Sequence, residues 1–266
     1  GAPMGFLDVG GGLGIDYDGS RSATAASTNY SLQNYANDVV ATVKECCEPS
    51  GVPVPTLVSE SGRALASHFS VLVFDILGTG AAPDERPERM DDDPLILRNL
   101  HETFDGITTA NLQEAWNDAL KFKQDALAAF RLGYMGLPDR ATAEQLTWAC
   151  ADAIAQRLPK DQAIPEELSA LSKALAGTYY ANLSIFRSAP DTWAIDQLFP
   201  VVPIQQLDQR PTRLANLADL TCDSDGRLDR FIGDGQPKQL LELHELDDDN
   251  PYLIGLFLSG AYQEVM

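Results

Sequence analysis

The hydrophobic period changes twice along this chain, and those changes limit the fold more than any other feature. Up to Leu77, short apolar runs alternate with Gly- and Pro-rich loops and one amphipathic helix. From Pro94 to Leu175 the period is helical, with no convincing strand. From Tyr179 short β-type runs return, separated by Gly, Pro and Asp clusters. The pattern predicts three parts: an α/β segment over 1–77, a helical insertion over 78–177 and an antiparallel β-sandwich or β-barrel domain over 178–266. A chain of 266 residues is long enough for one large or two smaller domains and for a real core.

In the first part, Phe6 to Val9 has the apolar character of a buried strand, and Gly10, Gly11, Gly12 and Gly14 follow it. Without side chains, such a loop leaves its backbone N–H groups open to an anion, which suits a phosphate. A tight corner at a strand end is the competing interpretation. Ser31 to Cys47 reads as an amphipathic helix capped by Ser31, with Leu32, Tyr35, Val39, Val43 and Cys46 on one face and Pro49 and Gly51 after its end. A second strand, Thr56 to Ser59, runs into Glu60-Ser-Gly-Arg63, and Phe69 to Leu77 reads as a third. Strand, loop, helix, strand, loop is the order of a parallel α/β unit, whose ligand sites lie at the carboxyl ends of the strands.

The helical part offers Leu95–Thr103, Asn111–Leu132, Thr142–Leu158 and Pro165–Ala176 as helices, with Pro138, Asp139, Pro159 and Pro165 at their ends. His101 and Trp148 fit ordinary interior positions, and Asp91, Asp92 and Asp93 fit a solvated helix start better than a metal site. The last part offers strands at Tyr179–Phe186, Phe199–Ile204, Arg213–Thr221, Leu240–Leu246 and Tyr252–Leu258. Two of these end on reactive groups, Thr221-Cys-Asp-Ser-Asp-Gly-Arg227 and Ser259-Gly-Ala-Tyr262.

Charge narrows the function classes. The formal net charge is −20, from 39 acidic and 19 basic residues, which argues against nucleic-acid binding because phosphates need a basic face. No apolar run is long enough for a membrane helix. The cysteines, Cys46, Cys47, Cys150 and Cys222, form neither a disulfide framework nor a zinc spacing, and a soluble protein of a reducing cytoplasm is expected.

Five segments in order, Leu7-Asp-Val-Gly-Gly-Gly-Leu-Gly-Ile-Asp-Tyr17, Ser59-Glu-Ser-Gly-Arg63, the helical insertion, Leu220-Thr-Cys-Asp-Ser-Asp-Gly226 and Gly260-Ala-Tyr262, resemble the biosynthetic arginine decarboxylases. These belong to the fold-type III pyridoxal-phosphate decarboxylases. The resemblance implies the C-terminal part of an alanine-racemase-like (β/α)8 barrel, a helical-bundle insertion and a β-domain. It implies that Gly10, Gly11, Gly12 and Gly14 hold the pyridoxal phosphate group, with Arg63 and Tyr262 assisting, and that Glu60 pairs with the pyridine nitrogen. Cys222 would return a proton to the substrate carbon, and Asp223 would hold the distal cation of the substrate across a homodimer interface. Asp8, Leu13, Asp16 and Tyr17 fall among the substrate contacts that the resemblance implies.

The implied activity is decarboxylation of L-arginine to agmatine and CO2 in polyamine synthesis, with pyridoxal phosphate and Mg²⁺ as cofactors and no Mg²⁺ ligand identifiable. In this family the cofactor-bearing lysine lies on the first barrel strand, a position expected before residue 1. Lys44, Lys121, Lys123, Lys160, Lys173 and Lys238 all fall outside that motif, so the chain is expected to be a C-terminal segment that is inactive alone. The alternatives are a non-catalytic homologue that binds partners and a decarboxylase of ornithine, lysine or diaminopimelate.

Overall fold

The computed structural model describes residues 5–80, 86–158, 168–222, 226–247 and 249–264. Within them the chain forms two compact units, one of residues 1–79, 179–212 and 216–266, the other of residues 80–178 and 213–215.

The first unit opens with a parallel pair, β1 (Phe6–Asp8) and β2 (Thr56–Val58), in the register Phe6↔Thr56, Leu7↔Leu57 and Asp8↔Val58. Between them runs α1 (Leu32–Cys47), whose Ser31 and Asn34 form a reciprocal capping box. Helix α2 (Gly62–Ala66) follows β2, and after a turn of 3-10 helix comes the long strand β3 (Val71–Gly80). Alternation along β3 is regular: Phe74 and Ile76 point inward and are buried, while Val71, Val73 and Leu77 are exposed.

The remaining strands of this sheet are β4 (Gly177–Ala181), β5 (Val201–Pro203), β6 (Arg213–Asp219), β7 (Arg227–Leu228), β8 (Leu241–Leu243) and β9 (Leu253–Phe257). Their order is β5-β9-β3-β4-β6-β7, with β8 beside β6. The pairs β3/β9, β5/β9 and β6/β7 are antiparallel, with Val73↔Gly255 and Val202↔Gly255 fixing the register through the middle strand.

Sequence and structure part at Tyr179–Phe186. The strand stops at Ala181, and α7 (Ile185–Ser188) and α8 (Pro190–Ala194) follow. Ser184 causes the switch, since its hydroxyl accepts the N–H of Arg187 and starts a helical turn that apolar patterning does not reveal. Pro190 then occupies the first turn of α8, where its missing N–H costs nothing.

The second unit contains α3 (Leu95–Asp105), α4 (Leu112–Arg131), α5 (Leu137–Ala155) and α6 (Ser169–Leu175). Its core includes Leu97, Leu100, Trp116, Leu146, Ile154 and Leu171, and Ala115, Ala119, Ala143 and Ala151 keep the helices close. Helix α5 begins at Leu137, five residues before the Thr142 start that the sequence suggests. Pro138, which reads as a stop, sits in its first turn and Asp139 beside it favours the helix N-terminus. Pro159 and Pro165, the other expected boundary marks, lie outside the described residues. Lys123 of α4 places its ammonium over the Trp148 ring of α5, 5.9 Å from its centroid. Among the described residues no helix is long and apolar enough to cross a membrane.

Candidate active site

Parallel pairing puts the carboxyl ends of β1 and β2 side by side, so the loops that leave them meet. The N–H of Glu60 donates to the carbonyl of Gly10 at 2.9 Å, and that of Val9 donates to Val58 at 2.9 Å. Asp8 folds the first turn, its Oδ1 accepting the Gly10 N–H at 2.8 Å. Gly10 and Gly12 have φ of +76° and +94°, which a side chain would strain. At Gly14 the need is space, because a Cβ there would stand 2.4 Å from Thr28 Cγ2, and its N–H donates to the Tyr30 hydroxyl at 2.9 Å.

The N–H groups of Gly11 and Gly12 find no acceptor among the described residues. Both residues are exposed, and beside Gly12 no atom lies within 4 Å of where a Cβ would sit. This is a cradle of open donors of the kind that binds an anion. Glu60 enters the same neighbourhood through its backbone, its carbonyl lying 3.2 Å from the position of a Gly11 Cβ, and its side chain is exposed.

A second cluster forms around Arg63, in the first turn of α2. Its Nη1 donates to the Tyr17 hydroxyl at 3.1 Å, and its Nη2 meets Asp191 Oδ2 at 3.1 Å. The guanidinium lies over the Tyr262 ring, 4.7 Å from its centroid. Burial lowers the Arg63 pKa, but the hydrogen bonds and charge interactions with Tyr17 and Asp191 outweigh it and the cation is held more firmly than usual. Tyr17 is itself buried and stands edge-on to Phe199, with ring centroids 5.3 Å apart.

Tyr262 reaches Arg63 because Gly260 lets the chain press against α2, where a Cβ would fall 2.0 Å from the Ala66 carbonyl oxygen. Its backbone is left-handed at φ +67°, which costs a non-glycine residue about 1–2 kcal/mol. Gln263 closes the cluster by accepting the Asp191 N–H at 3.2 Å.

The structure therefore brings together Asp8, Gly10, Gly11 and Glu60 in one group, and Tyr17, Arg63 and Tyr262 in another, joined by the start of α2. Asp16 turns to its own loop and accepts the Ser27 hydroxyl at 2.7 Å. Leu13 is half-buried, and no polar role is visible for it. Cys222 is exposed on the turn that leaves β6, and Asp223 lies outside the described residues. Sequence reasoning missed Asp191 and Gln263. Pro190-Asp191 is a helix-start signature that places an acid in a first turn, but nothing in it points to Arg63, 128 residues away. A polar cavity of about 600 Å³ lined by Gln205, Gln209, Arg210, His244 and Asp247 contains none of these residues.

The chain is similar to known proteins in sequence and in fold. Residues 1–67 match the family model for the pyridoxal-dependent decarboxylase, pyridoxal binding domain, and residues 90–172 match the arginine decarboxylase helical bundle domain. Across its full length the chain is 83% identical to a biosynthetic arginine decarboxylase of Parasynechococcus marenigrum and 71% identical to one of a Synechococcus species. The chain belongs to the biosynthetic arginine decarboxylase family. It spans 43% and 42% of the length of those two relatives. Among solved structures, the biosynthetic arginine decarboxylase of Campylobacter jejuni superposes on 97% of this chain and 41% of its own, with a TM-score of 0.78 and 33% identity. The family's pyridoxal-binding match thus covers the glycine loop, Glu60 and Arg63 together.

Proposed function

We propose that the whole protein decarboxylates L-arginine to agmatine and CO2 with pyridoxal phosphate, supplying polyamine synthesis in the cytoplasm. The observation that carries this is the 83% identity to a biosynthetic arginine decarboxylase over 100% of this chain, the span that holds the glycine loop, the Arg63 cluster and the Cys222 turn. In this proposal β1 and β2 belong to a (β/α)8 barrel and the seven-stranded sheet is the β-domain.

The residues fit the cofactor's chemistry. Gly11 and Gly12 offer free N–H groups to a phosphate, and the Arg63 guanidinium, fixed by Tyr17 and Asp191, contributes a positive field beside an exposed tyrosine hydroxyl. Because Asp191 neutralises part of that charge, the backbone donors carry the larger share of anion binding. Glu60, at the strand end next to the loop, would keep the pyridine nitrogen protonated. Pyridoxal phosphate supplies, when bound, an electron sink for the pair left as CO2 departs.

Cys222 then delivers the proton that replaces the lost carboxylate on the α-carbon, and Asp223 receives the guanidinium of the substrate. Both act on the partner's site in a homodimer, which accounts for the solvent exposure of Cys222 in the single chain. For Mg²⁺ no fit is found: among the described residues no group of three or more His, Cys, Asp or Glu is placed to hold a metal ion.

The test is product analysis with the full-length protein, loaded with pyridoxal phosphate and given arginine, ornithine, lysine or diaminopimelate in turn. Agmatine and CO2 from arginine alone are expected. Turnover of another amino acid with no agmatine would overturn the arginine assignment.

A further inference from the structure

Asp219, the last residue of β6, is a buried carboxylate, 7% exposed, and no cation pairs with it among the described residues. Burying an unpaired charge is costly unless donors replace its water. Here two stretches of chain supply them. Oδ2 accepts the N–H of Ile185 at 2.7 Å, and Oδ1 accepts both the N–H of Thr221 at 3.0 Å and its hydroxyl at 2.6 Å. Its own N–H donates to the Gly226 carbonyl at 2.8 Å, closing the base of the β6–β7 hairpin.

A turn that needed only a cap would be served by Ser or Asn, each with one acceptor to offer. Asp219 instead uses both oxygens, one on the turn that leads to Cys222 and one on the first residue of α7. A carboxamide at this place would set an NH2 against the Ile185 N–H, or against the two Thr221 donors. Gly226 is matched to this arrangement, since a Cβ there would lie 2.2 Å from Asp219 Oδ1. Two residues seven apart in sequence thus serve the same purpose, which is to lock the backbone immediately before Cys222.

We propose that Asp219 is a positioning residue for Cys222, tying the Thr221–Cys222 turn to α7 so that the thiol stands where its proton is needed. This rests on the proton-delivering role proposed for Cys222, and the experiment separates the two. Three single variants, Cys222→Ala, Asp219→Asn and Gly226→Ala, and the double variant D219N/C222A are made in the full-length protein, with circular dichroism confirming folding.

Loss of a positioned proton donor costs about 100-fold or more in kcat, expected for C222A. Misplacing it by a fraction of an ångström is expected to cost D219N and G226A about tenfold or more. If Asp219 acts through Cys222, the double variant is no slower than C222A alone. Effects that multiply would make Asp219 merely structural and overturn the proposal. Full kcat in D219N beside a crippled C222A would overturn it while leaving the role of Cys222 intact. Wild-type kcat in C222A would remove the role of Cys222 and the proposal with it. Amide exchange in peptides spanning 184–188 and 219–222 gives an independent readout: faster exchange in D219N is expected, and unchanged exchange would overturn the tie itself.

Discussion

The helical unit closes its core within one stretch of chain, whereas the parallel strand pair that carries the glycine loop leaves its flanks open. Leu100, Leu146 and Ile154 are fully buried, and α3, α4 and α5 share one apolar interior. In the strand pair Phe6 is 71% exposed and Val58 41%, and α1 has no buried residue. Parallel strands are ordinarily covered on both faces. The described residues of this segment do not provide that cover, so its order rests on the β1–β2 ladder, on glycine-loop hydrogen bonds and on the Arg63 cluster. Substitutions in the helical unit should therefore report on stability, and those around the loop on binding.

The strongest way to break this contrast is a matched pair of truncations. Leu100→Ala removes a side chain with no exposed surface and should cost about 2–5 kcal/mol, because both transfer energy and a cavity are lost. Phe6→Ala, at an exposed site, should stay within about 0.5 kcal/mol. Urea unfolding gives both values, with Trp116 and Trp148 reporting on the helical unit. Equal losses for the two variants would refute the contrast.

A second prediction concerns pH and the helical unit alone. Arg86 Nη2 lies 3.0 Å from His101 Nδ1, and since a guanidinium only donates, the imidazole proton must be on Nε2. That nitrogen is buried and 3.6 Å from Asp93 Oδ2, too far for a hydrogen bond. Burial holds His101 below its ordinary range, Arg86 and Arg89 push the same way, and Asp93 and Asp105 oppose them. Arg86 and Asp105 also act on the buried Cys150 thiol of α5, which burial pushes up to about 12, so it stays neutral.

The folded state thus binds fewer protons than the unfolded one near the ordinary histidine pKa. Stability is complete above roughly pH 6.5 and falls as pH drops toward the lowered value, by at most about 1.4 kcal/mol per pH unit. Urea midpoints measured across this window should show that slope, and His101→Gln should flatten it. A slope that survives in H101Q would assign it to another group.

How much of this was legible differs between the two regions for a physical reason. Helical periodicity over eighty residues is a local, repeated signal, and α3, α4 and the interior place of His101 follow from it. The antiparallel strands were legible as runs, but β7, two residues long, carries no pattern at all. The strand-end places of Gly10 and Glu60 were legible because glycine and acid follow apolar runs directly. The partners of Arg63 were not, since Tyr17 lies 46 residues before it and Asp191 128 after, and no local spacing encodes a contact made only by folding. Asp219 escaped notice because an acid beside Thr-Cys-Asp resembles loop polarity until its burial is seen.

The smallest expected effect compares two ion pairs of identical spacing. In α5, Arg140 meets Glu144 at 3.0 Å, both about one-third exposed, and its guanidinium also lies 5.0 Å from the centroid of the Phe130 ring. At the end of α1, Lys44 and the capping residue Glu48 are 4.0 Å apart and 55% and 68% exposed. Solvent screens the second pair, and exposed pairs of this kind contribute about 0.3–0.5 kcal/mol. Arg140→Ala loses the pair, the stacking and the side-chain stem that shields Phe130, so about 1 kcal/mol is expected. Lys44→Ala should fall below about 0.5 kcal/mol and vanish in 1 M salt, where the screening length shrinks to about 3 Å. The Arg140 loss should persist in salt, because ring contact and apolar cover do not depend on ionic strength. Equal and equally salt-sensitive losses would show that the tighter packing of the helical unit does not extend to its surface.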